Sequence, residues 1–432
     1  LARQSLALPS QQWYRRGRLW VAPTTGAAVA LVAGIALLLL DQYVVTLDTP
    51  YLPKYVGSPS TASTLLSVTA TAIATLTALV LTIVTVVVQL ASDKYSHRAL
   101  RTFLQDRHSH VTLAMFVGTF TFAVLALLGL DSTVEDGMAV GLTIPAAFGL
   151  AVITIGIFVS YIDHIVHAAR GTSIITRIGS DTRAEVERLY PDAFDDEAAE
   201  VTVDLADEPQ AVIAAPRPGV VYEMDIAGLV EWAADADATV VIRPAVGDFI
   251  PGGSPMIEVH GHGDEHDDIV GFVRLDPERT ITDDVGFGFR LLVDIAENAL
   301  SPGINDPTTA VQCIDQLHDL LRRLASRTIP DGWHADDGGT PRLYVPPRRW
   351  EDYLHLACDE IRRYGEGDLQ IARRLRHMLL DVRDVAPSSR HKSIDRALEL
   401  LDASVERGFA SAEDRALACR PDAQGIGGGP GN

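Results

Sequence analysis

The 432 residues carry 57 Asp and Glu against 36 Lys and Arg, a formal net charge of −21. That excess repels phosphate backbones, so nucleic acid is excluded as a partner. The charge is uneven: residues 1–160 sum to about +2 and residues 161–432 to about −23. The chain therefore reads as a membrane part followed by an acidic soluble part. Cys313, Cys358 and Cys419 form no CxxC pair, which suits a reducing compartment without a disulfide frame.

Residues 1–20 form a basic N-terminal segment with Arg15, Arg16 and Arg18. Four uncharged stretches follow, 21–40, 65–90, 111–130 and 138–162. Each is long enough to span a bilayer core, which takes about 20 helical residues. The spacing predicts a four-helix transmembrane domain over 21–162. Asp41-Gln42-Tyr43-Val44 offers no small-residue cleavage pattern, so the first span is expected to be a retained anchor. Basic residues cluster before the first span and, as Lys94, Arg98, Arg101 and Arg107, between the second and third. By the positive-inside rule both termini are cytoplasmic, in a multi-pass protein of the plasma membrane.

Thr64, Ser67, Thr71, Thr75, Thr82, Thr85, Gln89 and Ser92 recur along the second span at steps of three, four and seven. Such steps put them on one helical face. Two readings stand: close packing between helices, or the lining of a water-filled pore formed by several copies. None of the four stretches contains Asp, Glu, Lys, Arg or His. Coupled transport usually needs such a group near the midplane, so a passive pore or a membrane-anchored sensor remains. Pro145 is expected to interrupt the fourth helix alone, which does not match the paired broken helices of inverted-repeat transporters.

Asp163, His164 and His167 mark the exit of the fourth span and form a weak metal candidate. Residues 163–210 are expected to form a stalk helix continuing that span, then a linker. Residues 211–275 read as a β-rich module, whose phrase GVV…VVIRPAVGDFIPGGSPMIEV looks like the barrel-sandwich hybrid of biotinyl and lipoyl domains and of efflux adaptors. Those modules carry their cofactor on a lysine at a hairpin tip. Lys392 is the one lysine after residue 160 and lies far from this region, so no lipoyl or biotinyl attachment is expected. His260, His262 and His266, with four nearby carboxylates, are a second weak candidate for a divalent cation, against the simpler reading of a solvated hairpin tip.

A helical hairpin is predicted over 283–325. Its polar set Asp294, Asn298, Ser301, Asn305, Asp306 and Thr309 reads either as the pin of the helix-turn-helix or as a cation or small-ligand site; Asp306-Pro307 is a helix start. A linker over 326–349, further helices over 350–418 and a disordered Gly-rich tail over 419–432 complete the chain. The fold class is thus an α-helical multi-pass membrane protein with a C-terminal cytoplasmic α+β domain.

Four phrases, VVVQLASDKYSHRALRTFLQDR, FVGTF, GFGFRLLVDIAENALSPGINDPTTAVQCIDQL and IRRYGEGD, resemble a bacterial family of predicted membrane proteins, domain of unknown function 2254. The resemblance runs from about Gln12 to Leu380. It implies that Gln89, Ser92, Ser301, Pro302, Gly303, Asn305, Asp306 and Pro307 belong to family motifs, and it brings no activity with it. No catalytic triad, phosphate-binding Gly loop or metal-hydrolase spacing is present, so no enzyme is expected. The expected protein is a homo-oligomer in the bilayer, either a passive ion pathway lined by the second span and regulated by its acidic domain, or a non-conducting sensor or scaffold.

Overall fold

In a computed structural model, the described residues are 21–46, 55–94, 107–130, 134–135, 138–168, 171–195, 203, 205, 208–261 and 267–425. The chain divides into two compact units, Leu1–Asp93 with His97–Arg170, and Lys94–Ser96 with Gly171–Asn432.

The first unit holds four long helices: α1 (Val21–Thr46), α2 (Pro59–Lys94), α3 (Arg107–Leu128) and α4 (Thr143–Ala168). Each contains a stretch apolar and long enough to cross a membrane. Strands β1 (Tyr55–Gly57), β2 (Val134–Glu135) and β3 (Met138–Gly141) make a small antiparallel sheet in the order β1-β3-β2. The expected fourth span therefore starts later than residue 138, because Met138–Gly141 pairs with Tyr55–Gly57. Pro145 falls in the first turn of α4, where a missing N–H leaves no hydrogen bond unmade, so it does not interrupt the helix.

Helices α1 and α3 approach each other at backbone contact. Gly26 lies against the backbone of Ala114, where any Cβ would collide with the carbonyl, and Gly118 lies against Gly26. Small residues at four-residue steps (Gly26, Ala30, Gly34) let the backbones meet, a common packing device in lipid. Thr119 and Thr154 link α3 to α4 through a buried hydroxyl pair at 2.7 Å.

The second unit opens with α5 (Gly171–Leu189), which packs on α7 (Val285–Leu300) and α8 (Pro307–Ala325). The segment expected to continue the fourth span as a stalk is thus part of the second unit's own core: Ile175, Ile178 and Val186 are fully buried. Thr182 of α5 sits where a Cβ on Gly288 would stand, so α5 and α7 meet at van der Waals contact.

The β-rich part comprises β4 (Ala211–Ala214), β5 (Gly219–Met224), α6 (Ile226–Asp235), β6 (Ala238–Ile242), β7 (Phe249–Ile250), β8 (Pro255–Gly261) and β9 (Val273–Asp276). Strands β10 (Trp333–Ala335) and β11 (Pro341–Tyr344) join it from the stretch expected to be a linker. The five-stranded sheet runs β10-β11-β6-β8-β4, with β11 parallel to β6, and the three-stranded sheet runs β7-β5-β9. Alternation along β6 turns Ala238, Val240 and Ile242 inward, onto Ile257, Val259, Leu229 and Leu343. Both sheets are open; the described strands make no closed barrel.

Helices α9 (Trp350–Tyr364), α10 (Leu369–Val385), α11 (Ser388–Gly408) and α12 (Ala412–Ala418) complete the unit. Carboxylate caps start many of its helices: Asp225 for α6, Asp284 for α7, Asp306 for α8 and Asp368 for α10. Of the expected disordered tail, residues 419–425 are described. Asp422 is buried there, and Gln370 donates to the Gly425 carbonyl.

Candidate functional site

In the first unit the buried face of α2 is Ala62, Leu66, Ala70, Ile73 and Val80, which face α3 and α4 residues such as Phe116, Phe122, Ala147 and Ala151. Thr64, Ser67, Thr71, Thr75, Thr82, Thr85 and Gln89 are all exposed. At 100° per residue, the mean directions of the two sets differ by roughly 150°. The hydroxyl stripe thus points away from the chain's own bundle. The side chain of Ser92 lies outside the described residues.

The stripe is not a row of free donors. Thr64, Thr71, Thr75, Thr82 and Thr85 donate to the carbonyl four residues back, at 2.8–2.9 Å. What they still offer outward is acceptor capacity on the hydroxyl oxygens. A face of this kind suits contact with a second helix, water or a cation better than contact with an anion.

Asp41 was placed by sequence just beyond the first span; α1 continues past it, and it is fully buried. Its carboxylate accepts from the backbone N–H of Leu142 at 2.7 Å and of Thr143 at 3.1 Å, at the start of α4. A negative charge at a helix N-terminus satisfies donors that have no intrahelical partner.

In the second unit the predicted polar set separates. Asp306 accepts from the Thr309 N–H at 3.1 Å and hydroxyl at 2.6 Å, capping α8. The Ser301 hydroxyl donates to the Asn298 carbonyl at 2.7 Å, and Asn305 takes a positive φ of 49° in the turn. Asp294 instead faces Arg290, whose guanidinium also reaches Glu297 (3.1 Å) on α7 and Glu360 on α9. Sequence reasoning found Asp294 and missed Arg290 and Glu360. The four- and seven-residue steps from Arg290 to Asp294 and Glu297 were a usable local signal; nothing local pointed to Glu360. Burial and the hydrogen bond to Glu360 push the Glu297 carboxyl up to about 7. Burial pushes Glu360 the same way, but Glu297 and Arg290 hold it below its usual range.

A second polar cluster was not foreseen. His318 bonds Asp381 through Nε2 (2.7 Å) and meets Arg374 through Nδ1 (2.9 Å), while Arg374 also holds Asp315 at 2.8 Å. Burial keeps His318 below the usual imidazole range. Arg390, buried beside Phe194 and Trp350, donates to the carbonyls of Leu324 and Arg327 at the end of α8. Burial lowers it to about 10, against the opposing pull of Glu351.

The predicted metal sets do not assemble among the described residues, where no group of three His, Cys, Asp or Glu could hold an ion. His260 sits half-buried on β8, and neither ring nitrogen has a hydrogen-bond partner among the described residues. His262 and His266 lie outside the described residues, as does the side chain of His167. His164 stacks at 4.5 Å on His108, a residue not in the predicted set, and Asp163 is exposed.

Residues 16–381 match the family model described as "Predicted membrane protein (DUF2254)". Two relatives are "Uncharacterized protein Rv1290c" of Mycobacterium tuberculosis H37Rv and "Uncharacterized protein Mb1321c" of Mycobacterium bovis. Each is 29% identical over 417 residues, covering 94% of this chain and 79% of the relative. No solved structure matches.

Proposed function

We propose that this chain, which belongs to the DUF2254 family of predicted membrane proteins, assembles from several copies into a passive cation pathway lined by α2. The observation that supports this reading is the exposed hydroxyl face of α2, on the side opposite its contacts with α3 and α4. With donors returned to the helix backbone, that face presents oxygen acceptors, as a cation path requires. The acidic remainder of the chain, about −23, would attract cations rather than anions to the protein. Both termini lie in the cytoplasm of a plasma-membrane protein on this reading, from the placement of Arg15, Arg16, Arg18 and the Lys94–Arg107 segment. The protein has no catalytic role, and its β-rich part is a barrel-sandwich-like module without lipoyl or biotinyl attachment.

The test is ion flux through purified full-length protein in liposomes. Thr75→Leu and Thr82→Leu lower cation flux at equal incorporation if α2 lines the path; undiminished flux in both removes α2 from it. A second reading, a non-conducting sensor or scaffold, is favoured by the compact second unit. Absence of flux in the wild type under every ionic condition would select it.

A further inference from the structure

The contacts of His318 fix its tautomer. A guanidinium has donors and no acceptor, so Arg374 Nη2, 2.9 Å from His318 Nδ1, must donate to that nitrogen. The single ring proton of the neutral imidazole then sits on Nε2 and is donated to Asp381, 2.7 Å away. His318 thus bridges α8 and α10 as a neutral group between a cation and an anion. A second proton, on Nδ1, would point at a guanidinium N–H. Two cations would then share a contact where the Arg374 side chain is only 5% exposed.

Arg374 has one other anchor: Nε donates to Asp315 at 2.8 Å, and Nη1 is buried with no hydrogen-bond partner among the described residues. Its stem is a seat for the segment 419–425. Gly425 is buried so close that a Cβ there would collide with Val311 of α8 and touch Arg374 Cδ. The Asp422 carboxylate accepts from the N–H groups of Gln424 and Gly425 at 3.0 and 3.2 Å. The Asp422 N–H donates to the Arg373 carbonyl at 3.2 Å, and Gln370 donates to the Gly425 carbonyl. The segment is thus a strap laid over α8 and α10.

The charged groups beside His318 are Asp315 and Arg322 of α8, and Arg374, His377 and Asp381 of α10. Asp381 also receives Arg322, and the His377 ring stands edge-on to His318 at 5.7 Å. From α5, Arg183 and Glu187 meet Asp319 and Arg323. From α7, Arg290 meets Asp294, Glu297 and, on α9, Glu360. In the strap, Asp422 lies 3.9 Å from Arg373.

We propose that His318 is an acid-sensitive trigger: a proton taken from solvent onto Nδ1 drives the Arg374 guanidinium away and unseats the 419–425 strap from α8 and α10. Above that transition the imidazole is neutral, Arg374 stays on Nδ1 and the strap stays closed. Burial holds the imidazole below its ordinary 6.5, so the strap opens as pH falls below that value. The trigger stands whether or not the protein conducts.

The experiment is amide exchange of the purified full chain in liposomes, corrected for intrinsic rates. In the wild type, peptides covering 419–425 exchange several-fold faster at about pH 5 than at about pH 7.5. His318→Gln offers the same acceptor and donor without titrating, so its strap stays seated at both pH values. Equal wild-type exchange at the two pH values overturns the trigger, whatever becomes of the variant. A difference that survives His318→Gln moves the titration to another group, Asp422 first, and overturns it too. Unchanged exchange in the β6 and β8 peptides verifies that the variant is folded. Solid-state nitrogen NMR of the histidine-labelled wild type gives a reading that needs no variant. A histidine protonated on Nε2 alone gains its second proton with the same midpoint as the strap's opening; if no histidine titrates with that midpoint, the assignment falls.

Discussion

Asp41 carries a charge into an otherwise apolar helix and is tolerated because two backbone N–H groups of the α4 N-terminus meet its carboxylate. Removing one partner of such a buried contact leaves the other without water or protein, so Asp41→Ala is expected to destabilise the first unit by about 1–3 kcal/mol. Thermal unfolding in mild detergent would read this, and an unchanged midpoint would mean water replaces the carboxylate. Glu297 makes a different prediction. Its folded value of about 7 lies above its ordinary 4.5. The folded state therefore holds a proton that the unfolded chain has released, and stability falls as pH rises through that window. Glu360, held low, acts in the opposite sense but below its ordinary 4.5. His318 is lowered from 6.5, so its contribution rises with pH below 6.5 and overlaps the Glu297 window. The clean measurement is thus a difference: the midpoint of Glu297→Gln minus that of wild type grows from about pH 5 to about pH 8. A flat difference would contradict the assignment.

At the scale of elements, α1 and α3 meet where Gly26 leaves room for the Ala114 carbonyl. Gly26→Leu forces the helices apart and is expected to cost about 1–3 kcal/mol by overpacking, more if α1 detaches. Protease access to α1 in detergent would report it. Helix α7 is the core of the second unit, with Phe289, Leu292 and Ile295 fully buried under α5, α8 and α9. Leu292→Ala is expected to cost about 2–5 kcal/mol there, whereas the exposed Thr308→Ala should change stability by less than about 0.5 kcal/mol. Chemical unfolding of the two variants separates the cases. The helical periodicity of residues 173–190 was legible, but its apolar face could equally have served an extension of α4. Only packing against Gly288 and Gln316 assigns α5 to the second unit.

For the whole molecule, the proposed assembly predicts a mass of several chains in mild detergent. It also predicts that Thr75→Cys, in a Cys419→Ser background, cross-links copies to one another; Cys313 and Cys358 are buried and can stay. A monomer with no cross-link would end the pore reading. The four spans, the acidic second half and the helix start at Asp306-Pro307 could all be read from sequence, because hydrophobic length, charge and capping act over a few neighbouring residues. The hydroxyl stripe was equally visible as a periodicity, yet periodicity says only that a face exists. The tertiary structure decided that the face points away from α3 and α4, since that depends on which residues of α2 meet Phe116 and Ala147. It also decided what no local pattern encodes: Asp41 meeting Thr143, β11 lying parallel to β6, and Glu360 reaching Arg290. Each of these joins residues about 70 to 105 positions apart, and their pairing is set by how the chain packs as a whole.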